Sequence, residues 1–309
     1  MSSEKFRLVT RSDFDGLVCA VLLNKIDLID DIKFVHPKDM QDGKIEITER
    51  DITTNLPYVK AAHLVFDHHL SETLRNEKAD NHIIDPDAPS AARVVYDYYG
   101  GSDKFPESWA DMMAAVDKGD SAQFCKDEIL NPQGWDLMNF LMDARTGLGR
   151  FHDFRISNYQ LMMDLIDYCR EHDIEDILKL ADVEERVKLF KEHEAKAREQ
   201  ITRCSTVHDN LVVLDLRNEE LIYAVNRFMI YALFPETNIS IHVMWGLQQQ
   251  NTVFAIGKSI LNRSSNSNVG ELCLQYGGGG HLNAGTCQVE NDRADETLKA
   301  IVEKITQDG

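Results

Sequence analysis

Residues 6–26 read FRLVTRSDFDGLVCAVLLNKI, and this stretch sets the fold. Phe6–Thr10 (FRLVT) is a short β run, Arg11–Gly16 (RSDFDG) is polar and turn-like, and Leu17–Ile26 is an apolar helix. Downstream come the extended segments Ile32–His36 and Lys44–Ile47, then the strand Ala62–Phe66 (AHLVF). The helices Ser90–Tyr99 and Ser108–Val116 follow. Strands and helices alternating at this spacing predict an α/β layer with a mostly parallel sheet and flanking helices.

From about Asn131 to Ser205 the strand signals stop. Across Val183–Cys204, Val183, Val187, Phe190, Ala197 and Ile201 recur at helical spacing among charged residues, which predicts a long amphipathic linker helix. The β signals return in Leu211–Leu216, Ile239–Trp245 and Thr252–Ile260. They are interleaved with helical stretches at Asn226–Phe234, Val269–Tyr276 and Asp295–Thr306. The expected organisation is a first domain over 1–180, a linker helix over 181–208 and a smaller α/β domain over 209–309.

At 309 residues, with 43% hydrophobic and 28% charged side chains, the chain can bury a sizeable core, which excludes wholesale disorder. No apolar run is long enough to span a bilayer. The N-terminal sequence MSSEKFRLVTRSD lacks a signal-peptide apolar stretch, so a cytoplasmic protein is expected. The six cysteines include no C-x-x-C pair and read as small core residues. A formal net charge of −19 disfavours long duplex nucleic acid and leaves room for a small phosphorylated ligand in a local pocket.

Four short motifs carry polar chemistry at the ends of these elements. Asp13 and Asp15, in Asp13-Phe14-Asp15-Gly16, follow the first strand, at the edge where open α/β sheets bind ligands. Asp67-His68-His69 closes the strand AHLVF, and carboxylate with imidazole suits a transition-metal dication better than Ca²⁺. Asp117, in Asp117-Lys118-Gly119-Asp120, and Asp51 are further candidates. Read singly, Asp13, Asp51 and Asp117 are ordinary helix caps; as a set they gather acids and imidazoles on one edge. Gly277-Gly278-Gly279-Gly280-His281 lets backbone N–H groups approach an anion, with Arg263 and His281 as charged partners.

In this order, Asp13-Phe14-Asp15-Gly16, Asp67-His68-His69, Asp117 in VDKGD, and Gly278-Gly279-Gly280-His281 with Ala284-Gly285 resemble the DHH phosphoesterase superfamily with its C-terminal DHH-associated domain. The resemblance covers almost the whole chain and is nearest the exopolyphosphatase-related, nanoRNase-like branch. It implies a metal-dependent phosphoesterase acting on short oligonucleotides or linear dinucleotides, with two divalent ions, commonly Mn²⁺, in an interdomain cleft. By the same resemblance Asp13 serves one ion, Asp15, His68 and Asp117 the other, and Asp51 bridges them. Asp67 and His69 then orient ligands or touch substrate, with His69 counted among the catalytic groups. Arg263, Gly278, Gly279, Gly280 and His281 grip the substrate phosphate.

Many members of that group carry a histidine just ahead of the aspartate pair, where this chain has Thr10-Arg11-Ser12. A guanidinium cannot ligate a cation. Either the first ion is weakly held, completed by water or missing, or Arg11 holds a substrate phosphate. Two other readings stay open on the sequence: an exopolyphosphatase acting on polyphosphate, and a catalytically weakened nucleotide- or phosphate-binding protein. A homodimer is also left open, since Met112, Met113 and Phe228–Phe234 read as core rather than interface.

Overall fold

The computed structural model describes residues 5–309; Met1–Glu4, where the N-terminal reading begins, lie outside them. By its internal contacts the chain divides into two units. One comprises the residues up to Gln123 with Pro132–Lys188, and the other Phe124–Asn131 with Leu189–Gly309.

The first unit is built on five strands: β1 (Phe6–Arg11), β2 (Ile29–Val35), β3 (Asp51–Thr54), β4 (Leu64–Asp67) and β5 (His82–Ile84). They form one sheet in the order β2-β1-β3-β4-β5, and every pair is parallel. All strand ends therefore open on the same edge. The helix Phe14–Lys25 is buried at every position from Phe14 to Leu23. Its apolar character all round the helix is the sequence mark of such burial. It packs against the helices Ala91–Tyr98 and Asn158–Glu171. Each fully buried leucine or valine there contributes roughly 1.5–3 kcal/mol.

Lys44–Ile47 is not a strand. Ile45 and Ile47 pack over Val9, Val35, Met40 and Leu56 and cover a face of the sheet. Their alternation reports that covering role, and the third strand begins later, at Asp51.

The second unit holds β6 (Ser205–His208), β7 (Leu211–Asp215), β8 (Ile239–Trp245), β9 (Thr252–Lys258), β10 (Gly279–His281) and β11 (Ala284–Val289). Their order is β10-β11-β9-β8-β7-β6, parallel between β7 and β8 and antiparallel elsewhere. Leu211, Val213, Ile239, Ile241, Phe254 and Ile256 alternate along their strands and meet Val269, Leu272, Ile301 and Ile305 from helices. The helix Ala181–Arg203 runs through the division at Lys188. Val183, Phe190, Ala197 and Ile201 on it are buried. Among the described residues no helix is long and apolar enough to cross a membrane.

Candidate metal centre

The carboxyl edge of the first sheet is where the polar motifs emerge. β1 runs through Ser12 into the helix Phe14–Lys25, whose N-cap is Asp13; its carboxylate accepts the N–H of Gly16 at 3.0 Å. A Cβ at Gly16 would lie 1.9 Å from the carbonyl oxygen of Arg11, so only glycine lets this helix start against the strand end. The other Asp13 oxygen lies 2.8 Å from Nε of Arg11.

Asp15 is buried in the first turn of the same helix, with Oδ2 accepting the N–H of Ala91 at 3.0 Å and Oδ1 that of Ala92 at 2.7 Å. Those donors are the unpaired amides at the start of the helix Ala91–Tyr98, which favours negative charge there. His68 follows β4. Its Nδ1 is 3.1 Å from the carbonyl oxygen of Ala88, so the Nδ1–H tautomer donates there and leaves the lone pair on Nε2. Nε2 approaches Oδ2 of Asp120 to 2.7 Å, but is buried without a well-directed hydrogen bond. Asp15, His68 and Asp120 each offer a ligand atom within 4.8 Å of the others, so these residues could hold a divalent cation.

The electrostatics of the three favour a positive charge. Burial, reinforced by the Asp120 carboxylate, pushes Asp15 up to about 8. Burial disfavours charge on His68, yet the close approach and attraction of Asp120 outweigh it and raise the imidazole to about 9. Without a metal, protons carry that charge; a dication held by the same atoms would replace them.

The remaining predicted residues are placed as follows. His69 Nδ1 lies 2.7 Å from Oδ1 of Asp67, which also accepts the backbone N–H of His68 at 2.9 Å; buried Asp67 thus fixes the His69 imidazole and the His68 main chain. Asp117 does not join Asp15 and His68. Its carboxylate accepts Ser90 Oγ at 2.7 Å and the Arg93 fork at 3.0 and 2.5 Å. Asp120, one helical turn further along Ala110–Asp120, is the carboxylate that meets His68.

Asp51 is not on this edge at all. It opens β3 in register with Arg7, whose Nε and Nη2 donate to it at 2.6 and 3.0 Å. That is roughly 10 Å along the strand from the ligand end. The residue that β3 delivers to the carboxyl edge is Asn55, 1% exposed, at φ +54°, with both side-chain polar atoms lacking hydrogen bonds.

In the second unit the glycine run forms a hairpin. Gly279–His281 pairs with Ala284–Thr286, and the hairpin lies on the helix Val269–Leu274. A Cβ at Gly278 would meet the Thr286 carbonyl oxygen at 2.2 Å, and one at Gly280 the Ala284 carbonyl oxygen at 2.3 Å. Close backbone packing is therefore what these glycines serve, while Gly279 has open space. His281 is exposed, its Nδ1 accepting the Asn283 N–H at 3.3 Å, and exposed Arg263 donates from Nε to the carbonyl oxygen of Ile260 at 3.2 Å.

Asp120 meets His68 and Arg11 meets Asp13, and Asn55 lies on the same edge after β3; sequence reasoning missed these three or left them unassigned. Asp120 was visible in the same DKGD motif, one turn from Asp117 on the same helix face. Asn55 carried no sequence signal beyond following a β-branched run.

No family model matches the chain, and no curated protein matches it. Among solved structures, it is 64% identical to the pGpG-specific phosphodiesterase PggH from Vibrio cholerae, covering 99% of this chain and 100% of that one, with a TM-score of 0.87. Two distant structures share the fold alone. CDC45 from Entamoeba histolytica is 8% identical over 98% of this chain and 95% of that one, with a TM-score of 0.56. RecJ from Thermus thermophilus, solved with Mn²⁺, is 13% identical over 98% of this chain and 52% of that one, with a TM-score of 0.50. The chain belongs to the DHH phosphoesterase superfamily, in the family of the Vibrio phosphodiesterase, and is a hydrolase.

Proposed function

We propose that this chain hydrolyses the phosphodiester bond of a linear dinucleotide, the pGpG of its Vibrio relative being the first substrate to test, at Asp15, His68 and Asp120 charged with a divalent cation. The observation that carries the reading is the convergence of those three ligand atoms on the carboxyl edge. Imidazole beside two carboxylates suits Mn²⁺ among the abundant dications. When bound, such an ion polarises a phosphoryl oxygen and lowers the pKa of a bound water.

The chain's own residues do the rest. The Ala91 and Ala92 amides fix the Asp15 carboxylate, and the Ala88 carbonyl keeps the His68 lone pair on Nε2. Asp67 holds His69 by Nδ1 and raises its proton affinity, so that the ring can pass a proton from Nε2 to the departing sugar oxygen. Arg263, the Gly278–Gly280 backbone and His281 are assigned to the nucleotide phosphate. The free cysteines support a reducing, cytoplasmic setting.

Incubation of purified protein with Mn²⁺ and pGpG, followed by chromatography, tests this. Two GMP per pGpG are expected, with far slower turnover of polyphosphate. A Mn²⁺-loaded chain that releases no GMP rules the proposal out. Polyphosphate as the better substrate would restore the exopolyphosphatase reading, which the phosphodiesterase relative does not favour.

A further inference from the structure

We propose that the guanidinium of Arg11 stands where a first metal ion would bind, so that this chain works with one divalent ion and a fixed cation instead of an ion pair. The inference rests on the proposed function above, in that Asp15, His68 and Asp120 hold that one ion. Three observations in the first unit converge on it. Arg11 is the last residue of β1 and turns Nε to 2.8 Å from Oδ2 of Asp13, so a fixed cation already sits against that carboxylate, whose other oxygen accepts the Gly16 amide. An ion at Asp13 would have to displace or abut a cation that cannot be deprotonated.

Next, β3 brings no carboxylate to the ligand edge that could bridge two ions. β3 lies between β1 and β4 in the sheet and brings the neutral carboxamide of Asn55 to the ligand edge, while its acid, Asp51, is held by Arg7 at the other end. Finally, the charge balances at one ion. Once a dication has displaced the protons, the carboxylates of Asp13, Asp15 and Asp120 and the guanidinium of Arg11 sum to −2, which that one dication neutralises. Asp143, which also acts on Arg11, is paired with Arg145 at 2.7 Å. A second dication would leave the pocket with a net +2 before substrate arrives, whereas Arg11 provides permanent charge for a substrate phosphate oxygen at no cost in ion affinity.

Metal analysis of the Mn²⁺-saturated, desalted full chain, together with its electron paramagnetic resonance spectrum, decides the matter. One Mn²⁺ per chain with the signal of a magnetically isolated ion, lost in Asp120→Asn, is expected. Two ions with an exchange-coupled signal overturn the inference and leave the proposed function standing. No bound Mn²⁺, or binding indifferent to Asp120→Asn, overturns the centre itself. Arg11→Met is expected to lower pGpG turnover by about a hundredfold and Arg11→Lys by less than about tenfold, with the ion count still one in both. Equal losses in the two variants overturn the fixed-cation role; if Arg11→Met does not fold, the ion count of the unaltered chain decides alone.

Discussion

Nε2 of His68 stands 2.7 Å from Oδ2 of Asp120, while Asp117, one turn back on the same helix, is held by Arg93. The two aspartates therefore separate by experiment. Asp120→Asn removes a ligand, and kcat/KM falls by about a hundredfold or more, since loss of groups that merely orient ligands already costs about 10–100-fold. Asp117→Asn keeps the ligand set and instead loses about 1–3 kcal/mol of stability by weakening the Arg93 pair. Steady-state kinetics alongside urea denaturation of both variants reads the difference.

Asp51 is the second test of placement. Its carboxylate accepts two Arg7 bonds and the Thr48 N–H at 2.7 Å while almost fully buried. Asp51→Asn is expected to lower stability by about 1–3 kcal/mol and leave turnover per folded molecule within about twofold. Loss of Mn²⁺ binding in this variant would refute the strand direction that places Asp51 away from the ligands.

The hairpin glycines differ in a way that mutation can expose. Alanine at 280 would press a Cβ against the Ala284 backbone and is expected to cost about 1–3 kcal/mol by overpacking. Alanine at 279 enters open space and should fold like the parent. Should Gly279→Ala still raise KM for pGpG, the exposed strand contacts substrate; an unchanged KM removes Gly279 from the binding set.

Burial in the second sheet holds His242 down to about 4, so the folded chain keeps this imidazole neutral. The unfolded chain takes up the proton near pH 6.5. The stabilisation is thus complete above about pH 6.5 and is lost as pH falls toward 4. His242→Gln should lose less stability than the parent between pH 7 and pH 4.5, measured as urea midpoints at both values. Parallel losses in the two proteins would show that His242 does not titrate on unfolding.

Sheet-and-helix alternation was readable because apolar period separates a helix buried all round, Phe14–Leu23, from short β-branched strands. The register of the third strand was not. Ile45 and Ile47 alternate like a strand but cover the sheet, and Asp51 precedes the segment that enters it. β10 escaped notice because glycines carry no side-chain pattern. Asp15 and His68 were found from motif order, but Asp117 and Asp120 share a helix face, and only the position of Arg93 on another helix decides which carboxylate is free to turn to His68. Arg11 is legible as a cation at the end of β1, but its ion pair with Asp13 is a tertiary fact.

Anomalous diffraction from a Mn²⁺-soaked crystal tests the central claim most directly. The predicted result is a manganese peak bounded by Asp15, His68 and Asp120, absent in Asp120→Asn. A peak seated elsewhere, or full pGpG turnover by Asp120→Asn with no ion at these residues, would contradict it.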